Sequence, residues 1–298
     1  MFAEQLQQRT NREKWLLIIG LALMVTLAWW YLIDMALAMS SMDMQSMDMQ
    51  SMDIGSMDSM EMSSMDMSST SMSSMPGEAL SANSSAMNSM VTAWGALDLL
   101  LLFLMWAVMM VAMMLPSASP MILTFLSVNQ RRARSQRNVV PTYIFVSGYI
   151  VVWSGYSLLA TLLQWQLHEH ALIRSDMQVG VPYLVNTILI GAGVFQFTKL
   201  KQTCLQHCRS PLSFLMRDWR EGYTGAFYMG LHHGAYCVGC CWILMLVLFV
   251  TGVMNLFAIA LLSAFVLAEK LIPGGRWLSY LSGIIFIGFG LSSLALTV

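Results

Sequence analysis

The sequence contains few charged residues. Only 10% of its 298 residues are Asp, Glu, Lys or Arg, whereas 57% are hydrophobic and the mean hydropathy is +0.63. This composition excludes a soluble globular domain and is typical of a protein that crosses a membrane several times, in contact with lipid. With a net charge of −1 the chain has no excess of basic residues, so nucleic acid is excluded as a partner.

Cysteines are also few. The chain has five, two of them adjacent, which is not the spaced, even set of a secreted disulfide framework. Reduced thiols or metal ligands are therefore expected. A Walker-type glycine loop and a soluble domain to hold one are absent from the sequence, which argues against an ATP-driven pump.

Long apolar runs predict the fold class, an all-α polytopic bundle of transmembrane helices with about seven spans. The predicted spans are 15–33, 94–115, 139–163, 183–197, 222–250, 254–268 and 278–296. The chain then divides into an N-terminal anchor or signal-like segment (1–38), a low-complexity segment (39–90) and a six-helix membrane domain with a metal site (91–298).

The first apolar run allows two interpretations. The Ala-Leu-Ala sequence at 36–38 resembles a signal-peptide cleavage site, and cleavage there would leave six spans. The run is longer than the roughly 7 to 15 residues of a signal core. In addition, Trp29, Trp30 and Tyr31 resemble an interfacial aromatic belt. These features favour an uncleaved membrane anchor.

Residues 39–75 form a methionine-rich repeat, in which SMDMQ occurs at 41–45 and again at 46–50. Ser, Asp and spaced Met cannot form a contiguous apolar face, so any function must come from the side chains. Thioethers select Cu(I), and copper capture is therefore predicted. The first candidate ligands are Met42, Met44, Met47 and Met49. The alternative is a neutral linker made by repeat expansion, although linkers are normally rich in Ser, Gly and Pro.

The fifth span carries the strongest site motif, GLHHGAYCVGCCWILM at 230–245. At about 100° per residue on a helix, one imidazole and three thiols fall within about a third of the circumference. These residues are His233, Cys237, Cys240 and Cys241, with His232 beside them. Soft sulfur and imidazole donors suit Cu(I), with Zn(II) possible. The alternative is packing, because cysteine is a small hydrophobe, but an ionisable His-His pair in a bilayer is harder to explain in that way.

The second span carries a carboxylate in line with thioethers. At helical spacing, one side of this span holds Asp98, Met105, Met109 and Met113. A carboxylate near the outer end of such a stripe is a candidate start for a cation path. The alternative is that the methionines only fill the core.

The loop after the fourth span contains CLQHC at 204–208. Cys204, His207 and Cys208 are spaced to share one face of a short helix, and three donors of this kind are a candidate cytoplasmic metal site. A single Cys-x3-Cys pair is a weak signal, so an unused intracellular thiol pair is the alternative.

Glycine and proline predict helix geometry. Pro116 and Pro120 are expected to bend or end the second span. Small residues let helices approach closely in membranes, and the fifth span has four of them. They are Gly225, Gly230, Gly234 and Gly239.

The basic residues predict the orientation. Of the 15 Lys and Arg residues, only Arg174 falls on the side of the predicted spans opposite to the others. The remainder precede the first span or lie at 131–137, 199–220 and 270–276. The positive-inside rule therefore places the N-terminus in the cytoplasm and the methionine repeat outside it.

Several motifs together resemble a known family. They are MMVAMMLPSASPM at 109–121, FQFTKLKQTCLQHCRSP at 195–211, the motif at 230–245 and GVMNL at 252–256. The chain resembles, over about residues 94–290, bacterial integral membrane proteins described as predicted metal-binding and functionally uncharacterised, some of which are labelled copper chaperones. The resemblance implies an α-helical protein of the bacterial inner membrane with a metal site. The shared residues would include Met109, Met113, Met114, Pro116, Cys204, Cys208, His233, Cys237, Cys240 and Cys241.

Our leading hypothesis is a copper-handling membrane protein. The repeat captures copper at the outer face, and the helices hold Cu(I) for delivery to a cuproenzyme or a copper carrier protein. An alternative is a membrane metalloenzyme or thiol redox enzyme acting on a hydrophobic substrate, with Cys237, Cys240 and Cys241 cycling between dithiol and disulfide. A structural subunit of a larger membrane complex is a further alternative. A non-enzymatic role is favoured.

Overall fold

The computed structural model describes residues 12–38, 95–134, 140–170, 179–272 and 274–297. Within these ranges the secondary structure is helical and no strand is formed, which confirms the predicted all-α class. The helices are α1 (Arg12–Ala38), α2 (Ala96–Arg134), α3 (Thr142–Glu169), α4 (Pro182–Gln196), α5 (Lys199–Arg209), α6 (Pro211–Asp218), α7 (Gly222–Leu246), α8 (Leu248–Thr251), α9 (Leu256–Leu271) and α10 (Arg276–Thr297). The methionine repeat lies outside the described residues.

Five helical segments among the described residues are long and apolar enough to cross a membrane. They are α1, α2, α3, the run from α7 through α8, and α10. A sixth crossing is possible if α4 and α5, which are bent by 62° at their junction, form one broken span. The predicted count of seven is not confirmed, because α9 has only 16 residues. At 1.5 Å per residue α9 is about 24 Å long, shorter than a hydrocarbon core of about 30 Å.

Of the two effects predicted for the prolines, bending or ending the second span, the second is wrong, because α2 contains both Pro116 and Pro120 and continues to Arg134. Proline has no N–H, so Pro120 leaves the carbonyl of residue 116 without its helical partner. The hydroxyl of Ser119 donates to that carbonyl at 2.7 Å. Such local side-chain bonds allow a helix to pass through proline inside a membrane.

Glycines set the closest helix crossing. A Cβ atom built on Gly148 of α3 would lie 2.3 Å from the carbonyl oxygen of Phe227 on α7. A Cβ on Gly230 would lie 2.1 Å from the carbonyl oxygen of Phe145. The two backbones therefore touch where neither residue has a side chain, as expected from the glycines of the fifth span.

Aromatic and amide groups join α2 to α3. The indole nitrogen of Trp106 donates to the Gln164 side chain at 2.7 Å. Further along, the rings of Phe125 and Phe145 stack with centroids 4.8 Å apart. Between residues 105 and 114, α2 also buries five methionine side chains, each at most 2% exposed. They are Met105, Met109, Met110, Met113 and Met114.

The α3–α7 crossing predicts a difference between two glycines of one helix. We expect Gly148→Ala to lower the stability of the detergent-solubilised protein, because overpacking a tight contact costs about 1 to 3 kcal/mol. The measurement is the thermal unfolding midpoint.

Gly155→Ala is the matched control, since nothing lies within 4 Å of its Cβ position. Alanine favours a helix over glycine, so this variant should unfold at an unchanged or higher temperature. Equal losses of stability in the two variants would contradict the close crossing.

Candidate metal site

Helix α7 buries three thiols on one face. Cys237, Cys240 and Cys241 are each at most 2% exposed. The thiols of Cys240 and Cys241 donate to the carbonyl oxygen of Cys237 at 3.1 and 2.9 Å. The helical spacing read from the sequence therefore does bring these side chains together.

The bend between α4 and α5 brings two more thiols to the same place. The thiol of Cys208 lies close enough to Cys237 and Cys240 to interact with both. The sulfur of Cys204 lies 3.0 Å from the Cβ position of Gly239 on α7. All five cysteines of the chain are free and meet where α5 packs on α7. The two cysteine motifs, which the sequence presented as separate candidate sites, form one cluster of thiols.

The imidazole of His233 lies one turn before Cys237. Its side chain is 2% exposed, and its Nδ1 atom has no hydrogen-bond partner among the described residues. Phe145, Tyr149 and Phe214 pack around the ring, with centroids 5.8 to 6.1 Å away. It is one of seven such buried side-chain atoms among the described residues, and the one that adjoins the thiols, where a role as metal ligand would give it a partner.

An ammonium group and a phenol contact the thiol of Cys237. The Nζ atom of Lys270, on α9, lies 3.0 Å from the Cys237 sulfur and donates to the hydroxyl of Ser117 at 2.8 Å. The hydroxyl of Tyr149 lies 3.2 Å from the same sulfur and donates to the carbonyl of Met114 at 3.1 Å. Helices α2, α3, α7 and α9 thus all reach this sulfur or its immediate partners.

Sequence reasoning missed Lys270, which it assigned to the end of the sixth span. The available signal was the Glu-Lys pair at 269–270 at the end of an apolar run. Ionisable residues inside membrane helices are costly and usually mark a functional position. Tyr149 had no comparable signal, because tyrosine is common in apolar spans.

A buried ion pair fixes α5 against α9. Both oxygens of Glu269 accept from the Lys201 ammonium at 2.9 Å, and the hydroxyl of Ser279 on α10 donates to one of them at 2.6 Å. The guanidinium of Arg209 donates to the backbone carbonyl of Glu269. The sequence predicted Lys201 to be a loop charge. It is fully buried because the bend before α5 turns this helix into the bundle.

Two other candidate histidines face a different surface. The ring of His232 stacks near Tyr236, with centroids 4.8 Å apart, and its Nδ1 lies 3.8 Å from an Asp218 oxygen. The ring of His207 stacks on the same tyrosine at 4.3 Å, and its Nδ1 is hydrogen-bonded to the Thr203 carbonyl. The described contacts of both rings are therefore with aromatic, acidic and backbone groups, not with the thiols.

The remaining candidates divide into three groups. Asp98 is exposed and accepts a hydrogen bond from the backbone N–H of Gly95 at 3.0 Å, as a residue at a helix N-terminus commonly does. Met105, Met109 and Met113 are buried along α2. The repeat methionines Met42, Met44, Met47 and Met49 lie outside the described residues.

The donor set suits a thiophilic metal ion, although the side chains are not arranged around one. Among the described residues, no three His, Cys, Asp or Glu side chains already converge as metal ligands. The thiols of Cys240 and Cys241 are directed at a backbone carbonyl instead, so binding requires rotation about their Cα–Cβ bonds. Thiolates with one nearby imidazole are the ligands that Cu(I) and Zn(II) prefer.

One comparison with known proteins gives a match. A family model described as a copper chaperone matches residues 103–293, a range that includes all five cysteines, His233 and Lys270 but not the methionine repeat. No curated protein and no solved structure matches the chain.

The convergence of α5 and α7 predicts a disulfide between them. In a variant that retains only Cys208 and Cys240, with serine at the other three positions, mild oxidation should join the two helices. Trypsin cleaves after Arg209, Arg217 and Arg220, so mass spectrometry should find the two cysteine peptides linked.

The matched control pairs Cys208 with Ala235→Cys, which replaces an exposed residue on another face of α7. This pair should remain unlinked under the same conditions. Linkage of both pairs to the same extent, or of neither, would show that Cys208 does not face the thiols of α7.

Proposed function

Because the chain belongs to the PpoB2 family of copper chaperones, we propose that it is a membrane copper chaperone that holds Cu(I) on buried thiols. The ligands are drawn from the buried Cys237, Cys240 and Cys241 and the half-buried Cys208, with His233 beside them. The observation that carries the proposal is the meeting of all five cysteines at one helix crossing next to an unpartnered imidazole nitrogen. Packing alone does not require thiols from two distant segments to meet.

Cu(I) fits this site better than a hard cation does. The described groups around Cys237 include thiols, a phenol and an ammonium, but no carboxylate within ion-pair distance of that ammonium. Soft thiolates select Cu(I), whereas carboxylates and carbonyls suit Mg²⁺ and Ca²⁺. Copper is the cargo of the protein, and a chaperone site must release it to a cuproenzyme or a carrier.

The site lies at the same distance from the loop between α8 and α9 along both helical segments that contribute to it. Cys237 precedes the end of α8 at Thr251 by 14 residues, and Lys270 follows the start of α9 at Leu256 by 14 residues. At 1.5 Å per residue each distance is about 21 Å. With the loop between α8 and α9 at the outer surface, as we expect from the positive-inside rule, the thiols lie about 21 Å from that surface, near the middle of the run from α7 through α8.

Copper captured outside therefore needs a route along the bundle. Met105, Met109 and Met113 are buried at successive turns of α2. The neighbouring carbonyl of Met114 accepts from Tyr149, whose hydroxyl contacts Cys237. We propose that these thioethers carry Cu(I) from the outer side to the thiols, because thiolates bind the ion more strongly than thioethers do.

In this proposal the methionine repeat delivers copper to the thioethers of α2. It would lie outside the cytoplasmic membrane of a bacterium, with the basic segments inside. Its thioethers bind Cu(I) weakly, and its aspartates raise the local concentration of cations. A repeat of weak sites matters most when external copper is scarce.

The thiol site is tested with the double variant Cys240→Ala, Cys241→Ala in protein that lacks residues 39–75. We expect Cu(I) affinity, measured by competition with a chromophoric chelator, to fall by more than ~100-fold. Changes outside the coordination shell alone cost about 10- to 100-fold, and two ligands contribute more.

Trp242→Phe is the control, because this residue adjoins Cys241 and is 38% exposed on the outside of the helix. It should bind Cu(I) as the unchanged protein does. If the double alanine variant keeps its stoichiometry and affinity, the cysteines of α7 are packing residues and the proposed site is wrong.

The repeat is tested separately, as a synthetic peptide of residues 39–75. Its donors are local in sequence and need no fold, so the peptide should bind several Cu(I) ions weakly in the same competition assay. A peptide with every methionine replaced by leucine is the control and should not bind. Equal binding by the two peptides would assign the segment the role of a linker.

A further inference from the structure

Lys270 is an unusual residue for a copper site, because it places a positive charge among the groups that bind a cation. Its Nζ atom lies 3.0 Å from the Cys237 sulfur, and the side chain is 8% exposed. Within the described ranges, no carboxylate lies within ion-pair distance of it. The adjacent Glu269 is already bound by Lys201 and Ser279.

The two buried lysines are therefore not equivalent. The charge of Lys201 is balanced by the Glu269 carboxylate at 2.9 Å. The charge of Lys270 faces a sulfur and the Ser117 hydroxyl, and a hydroxyl carries no charge. A buried charge without a counter-charge is costly. Of the groups within contact distance of this ammonium, only the Cys237 sulfur can become negatively charged, which it does when it binds an ion as thiolate.

We infer that Lys270 is the counter-charge of the loaded site and that it determines which ions the thiols accept. The inference rests on the proposed function. A Cu(I) ion with two thiolates carries one negative charge, and the ammonium of Lys270 makes the complex neutral. In a low-dielectric interior a neutral group is much more stable than a charged one.

For a divalent ion, Lys270 has the opposite effect on the net charge of the site. Bound by two thiolates it is already neutral, and Lys270 would leave the site with one uncompensated positive charge. Neutrality would then require a third thiolate. Lys270 thus favours a monovalent ion held by two sulfurs over a divalent ion held in the same way.

Cu(I) and Hg(II) separate charge from softness, because both are soft, both accept two thiolates and they differ by one charge. The test measures the affinity of each ion for the purified full-length protein, by competition with small thiol or chelator ligands. Lys270→Met removes the charge and keeps an unbranched side chain. Lys270→Arg keeps the charge, and Lys199→Met removes an exposed lysine as the matched control.

We expect Lys270→Met to shift the ratio of Cu(I) to Hg(II) affinity toward Hg(II) by at least ~10-fold, since unit charges a few ångströms apart inside a protein change a binding constant by more than that factor. The arginine and Lys199→Met variants should keep the ratio of the unchanged protein. A ratio in Lys270→Met within ~3-fold of the unchanged protein, or a shift toward Cu(I), overturns the inference.

A measurement on the unchanged protein covers the case in which Lys270→Met does not fold. X-ray absorption of protein loaded with less than one equivalent of Cu(I), which occupies the tight thiol site before the weak thioethers, should show two sulfur ligands, and three or four would overturn the charge balance. Failure of the unchanged protein to bind Cu(I) through its cysteines would instead reject the proposed function. Normal thiol-dependent binding with an unaltered ion ratio would reject only the role of Lys270.

Discussion

The ion pair between Lys201 and Glu269 is the interaction on which the thiol cluster depends. In an apolar bundle neither charge tolerates burial alone, so each holds the other in place. Lys201 is on α5, and its position brings Cys204 and Cys208 of the same short helix against α7. Glu269 is on α9, and because Lys201 and Ser279 occupy its carboxylate, the next residue, Lys270, is left to face the thiols. One buried pair therefore assembles the donors and leaves the unpaired cation among them.

The glycine crossing of α3 and α7 provides the second constraint, which is register. Backbone contact at Gly148 and Gly230 permits little sliding, because either helix would then press a side chain against a carbonyl. Tyr149 directly follows Gly148, and its hydroxyl reaches the Cys237 sulfur two turns along α7 from Gly230. The glycines thus determine which turn of α7 the phenol meets. Ionic and steric constraints act on different helices and converge on the same sulfur.

Periodicity predicted the features that depend on one helix alone. The all-helical class and the shared face of Cys237, Cys240 and Cys241 follow from composition and from 100° per residue. Contacts between helices were not predictable in this way. The length of α2 depends on a hydroxyl that satisfies a carbonyl freed by Pro120, and the burial of Lys201 depends on a bend that no residue pattern marks. The Ser119 bond is local to α2, whereas the burial of Lys201 and the merging of the two cysteine motifs into one cluster are tertiary effects.

Along the proposed copper route, the charge of the ion is compensated only at the thiol site. Thioethers are neutral, so a Cu(I) ion passing Met105, Met109 and Met113 keeps its full charge in a low-dielectric interior, which is unfavourable. At the thiol site two thiolates and Lys270 together bring the sum of charges to zero. The free energy of the ion therefore falls at the end of the path through charge compensation as well as through stronger ligands. A partner that takes the ion from this site must supply thiolates of its own, because transfer to neutral donors would restore the uncompensated charge of the ion.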